Sequence, residues 1–150
     1  MKKVMAALVL VAACHRSVST SPTPSATVAA QTQIGASDAP GAVRAFLAAA
    51  HDQDLQAMGA AWGTVKGPVR DQMPRDEMEK RELIMLKCLQ HDSYEILSNS
   101  PSTTGQRLLA VQLKRRNLTH SWDFTTVAGP NNRWYVLEFN MDLTDAFCRS

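Results

Sequence analysis

No apolar run in this chain is long enough to cross a bilayer as a helix. The run from Val4 to Ala13 covers ten residues, against the roughly 20 that a spanning helix needs, which argues against a permanent transmembrane anchor. Charge of one sign is lacking too. Lysine and arginine total 16 against 14 acidic residues, and removal of a leader carrying Lys2 and Lys3 leaves 14 against 14. A near-neutral chain gives no support for a nucleic-acid partner or a polybasic lipid-binding surface. Metal-site spacing is also missing. His51, Asp52 and Asp54 stand together, but in a helix break where Asp54 has a capping role and no third or fourth ligand follows, so neither metal nor cofactor is expected. No internal repeat is visible, and Asn117-Leu118-Thr119 is read as a chance match to a glycosylation sequon.

What is present begins with a leader. Lys2-Lys3 followed by the apolar run through Ala13 has the charged-then-hydrophobic order of a secretory signal peptide over residues 1–13. Val11-Ala12-Ala13-Cys14 resembles a bacterial lipobox, in which small residues precede a cysteine that becomes the lipidated N-terminus. The alternative is an ordinary Ala-x-Ala cleavage site with Cys14 incidental. A lipobox implies a lipid-anchored protein of the bacterial cell envelope, since several acyl chains hold a soluble domain stably on a membrane. His15 rather than Asp after the cysteine points, under enterobacterial-type sorting, to the outer membrane facing the periplasm. Residues 14–37, rich in Ser, Thr, Pro, Ala and Gln, read as a flexible tether. Residues 38–150 are near the usual size of one domain.

Within that domain helices come first. Asp38 is placed to cap a helix in which Pro40 is tolerated in the first turn and Val43, Phe46, Leu47 and Ala50 recur on one face. The stretch His51–Asp54 ends it, and Asp54 caps a short second helix with Leu55, Met58 and Trp62 on one side. Two glycines and a proline between Trp62 and Asp71 mark turns. A third helix is expected from about Arg75 to Gln90, with Met78, Met85 and Leu89 buried, Ile84 and Cys88 beside them, and Glu77, Glu79, Lys80 and Glu82 solvated. From Tyr94 to Met141 the pattern is four antiparallel strands. A two-residue turn at Arg116-Asn117 sets Leu113 opposite His120, Val111 opposite Trp122 and Leu109 opposite Phe124. A loop over residues 100–105 sets Ile96 opposite Leu109 and Tyr94 opposite Val111. A four-residue turn at Gly129–Asn132 sets Phe124 opposite Leu137, Trp122 opposite Phe139 and Thr126 opposite Tyr135. The expected fold class is α+β, with N-terminal helices packed on a curved four-stranded antiparallel sheet.

Two N-terminal helices, an Asp-rich break, a Trp-Gly turn, a longer helix and a terminal meander resemble the nuclear transport factor 2-like superfamily, the cone-shaped fold of polyketide cyclases and ketosteroid isomerases. Trp62-Gly63-Thr64, Gly67-Pro68, Arg70-Asp71, Glu79-Lys80-Arg81-Glu82, Cys88, His91-Asp92, Arg133-Trp134-Tyr135-Val136 and Phe147-Cys148 resemble bacterial lipoproteins of that superfamily. The likeness covers essentially all of residues 38–150. It implies a pocket and no particular chemistry, because none of these motifs is a catalytic signature.

With Cys14 assigned to lipid, Cys88 and Cys148 remain as an even pair, which in an oxidising compartment suggests a disulfide; two buried free thiols are the alternative. Trp62, Tyr94, His120, Trp122, Phe124 and Tyr135 are the pocket candidates, placed on the concave sheet face or approaching it, with plain core packing as the other reading. The inward parity offers Tyr94 and Tyr135 but no carboxylate, since Glu95, Asp123 and Glu138 point the other way; an isomerase wants both. The leading expectation is therefore a non-enzymatic envelope lipoprotein that binds a small apolar ligand or another envelope protein. The rivals are an isomerase or hydrolase with His120 as acid-base, and a homodimer formed through the outer sheet face of Gln112, Lys114, Ser121, Asp123, Thr125, Trp134, Val136 and Glu138.

Overall fold

A computed structural model describes residues 34–150. The leader, Cys14 and most of the expected tether lie outside the described residues. Helix α1 (Ala39–His51) starts where expected, with the Asp38 carboxylate accepting a hydrogen bond from the Gly41 N–H at 2.6 Å. Its face of Val43, Phe46, Leu47 and Ala50 is wholly buried. Asp54 caps α2 (Leu55–Ala61) through the Ala57 N–H at 3.0 Å. A small hairpin follows, β1 (Gly63–Thr64) paired with β2 (Gly67–Pro68), then a 3₁₀ turn (Val69–Asp71) and α3 (Arg75–Leu89).

On α3, Met78, Met85 and Leu89 are buried as expected; of the two residues beside them Cys88 is buried and Ile84 is 42 % exposed, and Glu82 is not solvated but 0 % exposed. Periodicity explains the correction, because Glu82 falls on the same stripe as Met78, Met85 and Leu89. The stripe meets α2 at Gly59, where a Cβ would stand 2.4 Å from Met78 Sδ and 3.1 Å from Glu82 Oε1. The missing side chain lets the two helices close over the carboxyl group.

The sheet comprises β3 (Ser93–Ile96), β4 (Ser100–Pro101), β5 (Gln106–Arg115), β6 (Leu118–Ala128) and β7 (Trp134–Phe139), five strands rather than four, since β4 also pairs with β5. All connections are antiparallel, and the fold is α+β. The β5–β6 register is the expected one, with Leu113 opposite His120, Val111 opposite Trp122 and Leu109 opposite Phe124. The β3–β5 register is displaced by two residues, so Tyr94 faces Leu113 and Ile96 faces Val111. An even slip keeps parity, so the inward residues stay inward.

The β6–β7 register departs further. The turn holds five residues instead of four: Asn131 and Asn132 both take positive φ (56° and 55°), and Ala128 pairs with Trp134. Asparagine tolerates this left-handed conformation better than other non-glycine residues. The odd slip sends Tyr135, opposite Val127, to the outer face, while Trp134 and Val136 turn inward against the helices. A bulge between Thr125 and Thr126 then restores the expected facing of Glu138 outward and Phe139 inward, with Phe139 opposite Phe124. The proposed outer face thus loses Trp134 and Val136, its apolar members.

The core lies between the helices and the inner sheet face, with Phe46, Leu47, Leu109, Trp122, Phe124 and Phe147 at 2 % exposure or less. Each such side chain contributes roughly 1.5–3 kcal/mol by leaving water. A last helical turn, α4 (Ala146–Arg149), is capped by Asp145 and tied to α3 by a Cys88–Cys148 disulfide, Cα to Cα 4.1 Å. The expected pairing of these two cysteines is present.

Candidate functional site

Of the expected pocket residues, His120, Trp122 and Phe124 share one packed cluster with Phe139, and Trp62, Tyr94 and Tyr135 stand apart from it. Trp122 and Phe124 are 1 % and 0 % exposed and pack with Phe139, whose ring lies 5.2 Å from that of Phe124. Rings buried to that degree border no water-sized opening. Trp62 joins α2 to the bulged part of β7, its indole N–H donating to the Leu137 carbonyl at 3.1 Å. Tyr135 lies on the opposite sheet face, under the β1–β2 hairpin, where a Cβ on Gly63 would sit 2.6 Å from Tyr135 Cγ. Glycine there allows the backbone to pass over the ring. His120 is half-buried at the rim, its ring centroid 4.0 Å from that of Trp122 and tilted 39° to it, with Nδ1 3.3 Å from Asp145 Oδ2. The carboxylate absent from the sheet's inward parity is thus supplied from beyond β7, a residue that strand alternation does not reveal.

Polar and titratable groups converge elsewhere, in an open cleft of about 430 Å³ lined by Ala48, His51, Asp52, His91, Asp92, Ser93 and Tyr94. Of these only Tyr94 belonged to the expected pocket. The cleft forms because the C-terminal ends of α1 and α3 meet: the Gln90 amide, at the end of α3, donates to the Ala50 carbonyl of α1 at 3.0 Å. The same carbonyl also accepts from the Gln53 backbone N–H at 3.2 Å, so both its lone pairs are engaged at the helix end. Both ends carry partial negative charge directed at the cleft.

His91 is 7 % exposed and its Nδ1 lies 2.7 Å from the Leu89 carbonyl. A carbonyl only accepts, so Nδ1 carries the proton of the neutral ring and Nε2 keeps a lone pair. Burial, above all, pushes the His91 pKa down, with the nearby His51 adding to the effect, while the Leu89 hydrogen bond and Asp92 oppose it. The His51 ring lies 5.5 Å from that of His91, and its Nδ1 is 3.1 Å from Asp52 Oδ1. Tyr94 meets His91 edge-on at 5.5 Å. Asp92 accepts from the Arg116 backbone N–H at 2.6 Å, so the tight β5–β6 turn positions its carboxylate. A signal for this site was legible: the dipeptide His-Asp occurs at 51–52 and again at 91–92, each time just as a helix ends.

A second, smaller cavity of about 100 Å³ lies between α1 and α2, lined by Gly35, Ala36, Ala42, Ala45, Ala57, Ala60, Ala61 and Trp134. Ligand pockets usually run from about 300 to 1,000 Å³, so it holds only a few atoms. Two other features bear on chemistry: both described cysteines are consumed in the disulfide, and no described helix is long and apolar enough to cross a membrane. Comparison with known proteins finds no matching family model, no matching curated protein and no matching solved structure, so the functional reading rests on this geometry.

Proposed function

We propose that this chain is a lipid-anchored protein of the bacterial envelope, a nuclear transport factor 2-like domain on a tether, that binds a ligand in the α1–α3–β3 cleft and does not catalyse a reaction. The observation that carries this reading is the contrast between two places. The sheet interior, where a cone-type isomerase holds its substrate, is filled by Trp122 and Phe124, whereas the open cleft gathers two imidazoles, two carboxylates and a phenol. A binding site needs a few convergent polar groups on a preformed concavity. The anchor is supported by Val11-Ala12-Ala13-Cys14, and superfamily membership by the order of helices before a terminal antiparallel meander.

Mass spectrometry of the protein extracted from its native membrane tests both halves, since it reads acylation at Cys14 and any bound small molecule together. Ala48→Phe, on an exposed position lining the cleft, is expected to release that molecule without unfolding the domain. An unmodified Cys14, or a ligand retained by Ala48→Phe, refutes the corresponding half.

The His120–Asp145 contact favours a second reading, acid-base catalysis at the rim of the sheet, because a carboxylate at an imidazole Nδ1 orients the ring. His120→Gln then loses on the order of a hundredfold or more in rate on an ester or ketone substrate. Under the binding reading the same variant leaves ligand affinity nearly unchanged.

A further inference from the structure

The chemistry of the cleft narrows what it holds. Helix C-termini and the carboxylates of Asp52 and Asp92 make it a place for a cation, not an anion. Hard cations such as Mg²⁺ and Ca²⁺ want six or more oxygen ligands, whereas imidazole nitrogen suits zinc, copper and nickel. We propose that the cleft binds one divalent late-transition-metal ion, with Nε2 of His51 and Nε2 of His91 as its protein ligands. This rests on the cleft being the binding site of the domain and names its ligand class.

Two features carry the assignment. First, each imidazole has its Nδ1 already engaged, His91 with the Leu89 carbonyl at 2.7 Å and His51 with Asp52 at 3.1 Å, which leaves Nε2 as the donor on both rings. Carbonyl or carboxylate partners on the far nitrogen are the usual outer-sphere support of a metal-bound histidine, fixing its tautomer and ring plane. Second, the spacing fits. Two imidazoles bound through Nε2 at about 2.0–2.1 Å, with a tetrahedral angle at the ion, have ring centroids roughly 5 Å apart; the observed separation is 5.5 Å. His91 is held in place by burial, while His51, with a side chain 56 % exposed, has its ring set by the Asp52 carboxylate.

Among the described residues no group of three or more His, Cys, Asp or Glu is arranged to hold a metal ion. The ion therefore keeps at least two positions for water or for an incoming ligand, the open-site arrangement rather than the closed one of a structural metal. Such a site exchanges its ion, in keeping with binding or handing on a metal instead of folding around one.

The test uses the full-length protein in detergent, titrated with Zn²⁺ by calorimetry and with Cu²⁺ by electron paramagnetic resonance. The expected result is one Zn²⁺ per chain, no binding of Mg²⁺ at the same concentrations, and a Cu²⁺ signal coupled to two nitrogens. His51→Ala, at an exposed position that does not disturb the core, is expected to weaken Zn²⁺ at least tenfold and leave one coupled nitrogen; His91→Gln is expected to do the same. Absence of stoichiometric Zn²⁺ binding, or unchanged affinity and coupling in His51→Ala, overturns the proposal. If zinc fails to bind while a small molecule that co-purifies with the wild type is lost from Ala48→Phe, the metal is wrong and the cleft reading stands. If neither is found, both fall.

Discussion

Replacing Glu82 by methionine should stabilise this protein, and should do so more strongly as pH rises. Glu82 is 0 % exposed, neither carboxylate oxygen has a hydrogen-bond partner, and beside Met78 of its own helix it faces Gly59 across the α2–α3 contact. Burial, more than the nearby Glu79 and Asp54, raises its pKa from 4.5 to about 8. The folded state then holds a proton that the unfolded state has released, so stability attributable to this group is full below about pH 4.5. It falls as pH rises and levels off above about pH 8. At about 1.36 kcal/mol per pH unit, the loss is roughly 3 kcal/mol at pH 7 and approaches 5 kcal/mol in alkali. Against a total of about 5–15 kcal/mol for a domain, that is a large share. Methionine has similar volume, matches Met78 and removes the titration. Equilibrium urea unfolding at pH 5 and pH 8.5, with the disulfide intact, should show the advantage of Glu82→Met growing by about 4 kcal/mol between the two. The difference between variant and wild type is the diagnostic quantity, because His91, with its pKa pushed down, acts with the opposite sign. Glu82→Gln should flatten the pH dependence equally but retain the desolvation of a polar group, placing it below methionine at every pH. A difference that stays constant between pH 5 and 8.5 would show that this carboxyl ionises freely and would refute the argument.

The Cys88–Cys148 bridge closes a loop of sequence separation 60, for which the chain-entropy model expects about 4 kcal/mol. Thermal melts with and without reductant should therefore differ by many degrees in the wild type and coincide in a Cys88→Ser/Cys148→Ser variant; equal wild-type melts would dismiss the bridge as a stabilising element. Gly63→Ala places a methyl group 2.6 Å from the Gly67 carbonyl oxygen and 2.6 Å from Tyr135 Cγ. Because a backbone atom cannot step aside cheaply, a loss of roughly 1–3 kcal/mol in urea unfolding is expected, and an unchanged midpoint would show the hairpin does not press on Tyr135. Cys14→Ser should release the protein from the membrane fraction on cell fractionation, since no other segment is long and apolar enough to retain it; persistence in that fraction with the leader removed contradicts the lipobox reading.

Local rules sufficed for much of the chain. A carboxylate three residues ahead of a free N–H identified both helix starts, Asp38 and Asp54, because capping involves only adjacent residues. The two-residue turn at Arg116-Asn117 carried the β5–β6 register across ten residue pairs, since a turn of known length leaves no freedom in the strands it joins. Two cysteines left unassigned were enough to expect a bridge. What tertiary structure decided are matters that depend on one residue more or less, or on elements far apart in the chain. A fifth residue in the Gly129–Arg133 turn sent Tyr135 outward and Trp134 and Val136 inward, and a bulge near Thr125 then restored the facing of Glu138 and Phe139; nothing in strand alternation signals an extra residue. Glu82 reads as a surface charge on an isolated helix and becomes a buried carboxyl only when Gly59 brings α2 against it. The cleft belongs to the same class: His51 and His91 are forty residues apart, and only the meeting of two helix ends, held by Gln90 on the Ala50 carbonyl, sets their rings 5.5 Å from one another.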